Sequence, residues 1–234
     1  VQSILQKAST EGISINASNR EKGGRTEPML RLGPWDGEAR VVFVGDQQCP
    51  EVDWSAHRVV CGFLETFIKG HSGKKVVVLM GDGLNATTLG RFDYEIDTPD
   101  MNVEIEDYKK VIRDYREASG DGVEFAIVEG NHEYRLAKTI QRDPRLSTLI
   151  APWWELLDFD GILGKGNWHW IPYMAGYIEF PGPFLAHHGY RVSSHSAYAA
   201  KLHIENTGVS MIHGHTHRLG SYYKTLYDRT IRGY

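Results

Sequence analysis

Eleven histidines fall within 234 residues, and several stand beside glycine just after short apolar runs. Five places carry the chemistry. Val41 to Val44 runs into Gly45-Asp46, and Val76 to Met80 into Gly81-Asp82. Phe125 to Val128 leads to Gly130-Asn131-His132-Glu133, and Phe184 to Ala186 to His187-His188-Gly189. Val209 to Ile212 leads to His213-Gly214-His215-Thr216-His217. Carboxylates, amides and imidazoles are the donors that hold divalent cations. Taken singly, each block also has a plainer reading. Gly-Asp is a common turn or helix-cap pair, and Asn tolerates the left-handed backbone of a strand-exit turn. Imidazoles at i and i+2 of an extended segment share a side and suit chelation, yet a lone His-Xaa-His is as readily a satisfied polar turn.

Elements must gather these residues. The β-branched runs read as buried strands, and Trp54 to Lys69 and Ile105 to Ser119 carry apolar residues at helical spacing, each closed by glycine. Strand, helix, strand, helix, strand implies parallel crossovers, which puts the polar blocks at the carboxyl ends of strands, where α/β sheets bind ligands. Arg135 to Leu157 is expected to be helical with a break at Asp143-Pro144. Trp168 to Tyr173 and Gly176 to Phe180 are expected to pair around a turn. Ala197 to Asn206 reads as a helix, and Leu219 to Tyr227 can supply one further strand. Residues 1–38 read as an irregular N-terminal extension, mobile or extended over Ser14 to Arg25, and 39–234 as one catalytic domain.

In order, the five blocks resemble the signature of the calcineurin-like metallophosphoesterases over about residues 41–220, and look like the small members carried by tailed phages. The resemblance implies an α/β fold of two packed mixed β-sheets flanked by helices, a four-layer αββα sandwich. It implies two divalent metal ions, with Mn²⁺ favoured and Zn²⁺, Fe²⁺, Ni²⁺ or Mg²⁺ as alternatives. Asp82 would bridge them, with Asp46, Gln48 and His217 on one and Asn131, His188 and His215 on the other. Metal-bound hydroxide would attack phosphorus in line, and His132 would serve as general acid. His188 is preferred to His187 because it directly precedes Gly189; the alternative makes His187 the ligand. His213 is expected in a supporting or core role, and His57, His71, His169, His195 and His203 in surface or packing roles.

The chain departs from the pattern twice. Gln48 stands where the family has a ligand histidine, and an amide oxygen suits hard cations better than transition metals. Weaker occupancy of that site, or a preference there for Mn²⁺ or Mg²⁺ over Zn²⁺, is expected. Cys49 beside it reads as a buried free thiol. Asn85 replaces an Asp that orients the catalytic histidine in many monoesterases, which favours diester substrates of nucleotide or cyclic-nucleotide type. Alternatives are a phosphomonoesterase or protein phosphatase, and a metal-binding scaffold without turnover. Arg91, Arg135, Arg191 and Arg218 are candidates to reach a phosphate or pair with Glu133, and the aromatic stretches at Trp153-Trp154 and Trp168 to Tyr177 to wall a pocket.

Composition narrows the partners. A formal charge of −4 argues against a broad basic nucleic-acid face. Two cysteines cannot make a disulfide framework, so a cytoplasmic location is expected. No apolar run nears the roughly 20 residues of a membrane span. The chain opens with neither Met nor an apolar signal segment, which reads as processing or a fragment. The family commonly continues with more strands, so the second sheet is expected to be short or completed by a partner. Oligomeric state is not legible.

Overall fold

A computed structural model describes residues 30–90, 98–173 and 176–234. Ser14 to Arg25 and Arg91 lie outside the described residues. The chain divides into two compact units, Trp35–Trp170 and Ile171–Tyr234, the second including the segment up to Pro34.

In the first unit, β2 (Ala39–Val44), β3 (Lys74–Leu79), β4 (Val123–Val128) and β5 (Trp168–Ile171) form a four-stranded sheet in that order. The first three are parallel, with Val44 opposite Leu79 and Leu79 opposite Ile127. Register this strict is what β-branched strands buried on both faces require. Two helices make the crossovers. Helix α1 (Trp54–Leu64) continues as a wider turn over Glu65–Lys69 and is capped by Asp53, whose carboxylate accepts from the amides of Ser55 and Ala56. Helix α2 (Met101–Ser119) is capped by Asp100 and ends at Gly120, with φ +71°. Leu64, Ile68, Val111 and Ile112 pack on Val77, Leu79, Phe125 and Ile127 in one core. Burying each such side chain contributes roughly 1.5–3 kcal/mol.

The expected helix over Arg135 to Leu157 is broken further than anticipated. It resolves into α3 (Tyr134–Arg142), a 3₁₀ turn at Pro144–Thr148, α4 (Trp153–Leu156) and α5 (Phe159–Leu163). Pro144 and Pro152 supply no amide hydrogen and disfavour helix in the residue before them. The expected hairpin of Trp168 to Tyr173 with Gly176 to Phe180 is corrected as well. Strand β5 joins the sheet of the first unit, whereas β6 (Ile178–Phe180) lies in the other sheet, between β1 (Leu30–Arg31) and β7 (Phe184–His187). Trp168 and Trp170 pack against Phe159, which fixes β5 to the first core.

The second unit holds a mixed six-stranded sheet, ordered β1-β6-β7-β8-β10-β9. Strand β7, helix α6 (Tyr198–Thr207) and β8 (Ser210–His213) form a parallel crossover with His187 opposite His213. After β8, two strands follow where one was expected: β9 (Tyr222–Thr225) and β10 (Thr230–Gly233) form an antiparallel hairpin, and β10 pairs parallel with β8. Ile204, Met211 and Ile231 make the core there. Leu30 and Arg31 pair with Ile178 and Glu179, so the end of the extension is built into a sheet. Among the described residues no helix is long and apolar enough to cross a membrane.

Candidate metal centre

Asp46, Asp82 and Asn131 each follow the carboxyl end of one of three neighbouring parallel strands, β2, β3 and β4. Backbone bonds continue between the first two loops after the strands end. The amide of Asp46 donates to Gly81 O at 3.0 Å, that of Gln48 to Asp82 O at 2.9 Å, and that of Cys49 to Gly83 O at 2.8 Å. The Asn85 amide returns a bond to Cys49 O at 3.0 Å. Asp46, Gln48 and Asp82 are thus held by a ladder rather than left on free loops.

Glu133 anchors this arrangement. Its carboxylate is buried and accepts four backbone N–H groups, from Asp82 (3.0 Å), Gly83 (2.7 Å), Leu84 (3.1 Å) and Gly130 (2.9 Å). A hydrogen bond to a charged group contributes about 1.5–3 kcal/mol, so this one side chain ties the end of β3 to the end of β4. Trp153 is buried too, and its indole N–H donates to Glu133 O at 2.7 Å. Asp82 is aimed by the motif itself, because the His132 amide donates to its Oδ1 at 3.0 Å. The His132 ring lies with Nε2 3.9 Å from Asp82 Oδ2, its side chain 20% exposed. Gly130 is required by this packing. A Cβ there would run into Asp82 Oδ1 and the Asp82 amide, and stand 2.6 Å from Glu133 Oε2.

In the second unit, His188 and His215 follow β7 and β8, with ring centroids 5.1 Å apart in an edge-to-face arrangement. His188 is buried, and Tyr173 packs on it at 6.0 Å. His217 is exposed two residues beyond His215. His187 points elsewhere. Its ring packs on His203 (4.6 Å) and Tyr177 (4.9 Å), and its Nδ1 accepts from the Gly189 amide at 3.1 Å. His213 packs on His203 at 4.8 Å, with Nδ1 2.7 Å from Gly214 O. Burial disfavours the charged form of all three, holding His187 well below the ordinary histidine range, lowering His213, and pushing His203 down to about 3.

The backbone gives an independent mark. Among the described residues eight non-glycine positions have positive φ, and five of them are Asp46 (56°), Gln48 (49°), Asp82 (49°), His215 (72°) and His217 (51°). Left-handed backbone outside glycine costs of order 1–3 kcal/mol and persists where surrounding structure enforces it, typically at functional sites. Asp and His tolerate it best, but Gln has no such advantage. Among the described residues, carboxylates and imidazoles that could hold a metal include Asp46 and Asp82 in the first unit and His188, His215 and His217 in the second. Carboxylate, imidazole and amide together are a donor set for a borderline to hard divalent cation.

No family model matches this chain, and no curated protein matches it by sequence. What the site can do therefore follows from its own residues.

The remaining candidates fall in different places. The Asn85 side-chain amide donates to the Glu51 carboxylate. Arg135 Nη1 donates to the carbonyls of Asn85 (2.6 Å) and Ala86 (3.3 Å), so it braces the loop after β3. Glu133 meets backbone amides. Arg218 is exposed and lines a small cavity with His195, His213 and Thr216. Arg191 lies against the Tyr190 ring at 5.3 Å. Cys49 is fully buried and free, and burial pushes its thiol up, away from the thiolate a metal needs. Trp153 and Trp154 pack in the core of the first unit. The sequence did not single out Tyr108, which is buried against Gly83. A helical residue beneath a distant loop leaves no local pattern.

Proposed function

We propose that this chain is a metal-dependent phosphoesterase with a dinuclear centre, on a four-layer αββα fold. Asp82, Asn131, His188 and His215 would hold one cation, and Asp46, Asp82, Gln48 and His217 the other. The observation that carries the reading is the concentration of left-handed backbone at Asp46, Gln48, Asp82, His215 and His217, all just beyond strand ends. Five costly conformations at five oxygen or nitrogen donors are hard to explain as packing. The donor set fits two divalent cations, Mn²⁺ foremost, and Gln48 makes its own site the harder and weaker one.

A pair of cations supplies Lewis acidity and an activated water for in-line displacement at phosphorus. The residues do the rest. Asp82, fixed by the His132 amide and the Glu133 clamp, holds its carboxylate without reorganisation. His132, partly exposed beside it, would give a proton to a departing ester oxygen. By the resemblance, Asn85 stands where many monoesterases carry a carboxylate for this group, and here its amide donates to Glu51. An acid without that carboxylate suits diesters with good leaving groups, nucleotide-like ones included.

A hydrolysis panel with Mn²⁺, Mg²⁺ and Zn²⁺ tests this. Bis(p-nitrophenyl) phosphate should turn over faster than p-nitrophenyl phosphate, with Mn²⁺ best, and Asp82→Ala should abolish both. Faster monoester turnover would reverse the diester preference. No turnover on any ester would leave a metal-binding scaffold.

A further inference from the structure

His203 is a buried polar side chain for which the phosphoesterase reading has no use. It sits on α6 between β7 and β8 and is 1% exposed. Neither ring nitrogen meets a hydrogen-bond partner among the described residues. Its contacts are with rings: His187 at 4.6 Å and 82°, Tyr190 at 4.8 Å and 85°, and His213 at 4.8 Å and 57°. The first two are edge-to-face and the third is tilted; edge-to-face contacts are directional, because a polarised edge meets an electron-rich face. They fix the plane of the neighbouring ring as well as filling space.

The two histidines it touches are register partners at the ends of the parallel pair β7 and β8. Each makes one hydrogen bond to backbone flanking a proposed metal ligand. His187 Nδ1 accepts from the amide of Gly189, the residue after His188, so in the neutral ring its proton is on Nε2. His213 Nδ1 faces the carbonyl of Gly214, the residue before His215, and must carry its proton there. The two rings therefore need opposite tautomers. Gly189 adds a constraint at the same point: its φ is +104°, and a Cβ would stand 3.2 Å from His213 Nδ1 and 3.3 Å from the His215 Cβ.

We infer that His203 is a positioning residue, an imidazole wedge that holds His187 and His213 in opposite tautomers and thereby fixes the backbone carrying His188 and His215. The inference rests on the reading of His188 and His215 as ligands, but its core is a statement about the metal-free protein. Outer partners that orient metal ligands commonly change affinity by about 10–100-fold when removed. His203→Leu is nearly isosteric and lacks the polar edge, and His203→Ala removes the wedge.

The test begins with imidazole ¹⁵N spectra of the metal-free full chain. The wild type should show His187 protonated on Nε2 and His213 on Nδ1. His203→Leu should keep the wild-type Tm within a few degrees yet lose that tautomer preference. Its affinity for Mn²⁺ by titration calorimetry should fall about tenfold at one cation only, and Co²⁺ spectra should show a disturbed environment at that site. A wild-type His187 protonated on Nδ1, or His203→Leu with wild-type tautomers and affinity, would overturn the inference. Should the wild type bind no Mn²⁺, the phosphoesterase reading fails, while the tautomer comparison still decides the role of His203. Should His203→Leu and His203→Ala fail to fold, the milder His203→Gln decides it by the same tautomer and affinity readouts.

Discussion

At the scale of single residues, Gln48 separates this chain from the pattern it resembles. Its backbone is left-handed (φ 49°) and its amide donates to Asp82 O at 2.9 Å. The main chain is thus prepared as for a ligand, while the side chain is a weaker donor than imidazole for transition metals. Gln48→His should therefore tighten one of two Mn²⁺ or Zn²⁺ equivalents by about tenfold or more and leave the other unchanged, as read by equilibrium dialysis. Equal affinity at both sites in the wild type would contradict the weak-site argument. The candidate donors Asp46, Asp82, His188, His215 and His217 were legible as candidates because their types and their places after apolar runs are local features. Which of His187 and His188 lies with His215 was less so. Adjacent residues differ in which side they face, and only the partner rings separate them, His203 for one and His215 for the other.

At the scale of elements, the strand-end loops carry the side chains that could hold a metal. The sequence announces β2, β3 and β4 through their β-branched runs, and the structure places them in parallel register. The backbone ladder that continues between the loops was not legible, because it depends on Asp46 and Asp82 both adopting positive φ. Nor was the role of Glu133, whose four donors come from residues up to 51 positions away. The hairpin expected around Tyr173 failed for a related reason, since aromatic alternation marks a strand but does not name its neighbour. Gly130 joins these levels. Gly130→Ala should push Asp82 off its His132 and Glu133 contacts, costing about 1–3 kcal/mol from overpacking. Mn²⁺ binding should weaken more than the lowered Tm alone explains. Wild-type affinity and Tm in that variant would show that the loop can yield.

At the scale of the whole molecule, burying neutral histidines should make the metal-free protein acid-sensitive. In the folded state burial holds His187, His203 and His213 below the ordinary histidine value, His203 at about 3. The unfolded chain takes up protons at these residues below about pH 6.5. Unfolding then binds protons, so stability is full above that pH and is lost as pH falls towards the folded values. Tm in the presence of a chelator should drop from pH 7 to pH 5, and His203→Leu should shallow the slope. A Tm flat across that range would show that the histidine cluster opens in the native state. An α/β fold with parallel crossovers was legible in the alternation of runs and glycines, whereas two mixed sheets were expected only from the resemblance. The pairing of β10 between β8 and β9 was not, because Thr230–Gly233 is short and only Ile231 and Gly233 are buried.

The central claim is that Asp82 is shared, so that one carboxylate serves both cations. Mn²⁺ stoichiometry of the wild type and of Asp82→Ala, measured by equilibrium dialysis on the full chain, tests this most directly. Two equivalents in the wild type and loss of both from Asp82→Ala is the predicted result. Two equivalents retained by Asp82→Ala, or none bound by the wild type, would contradict it.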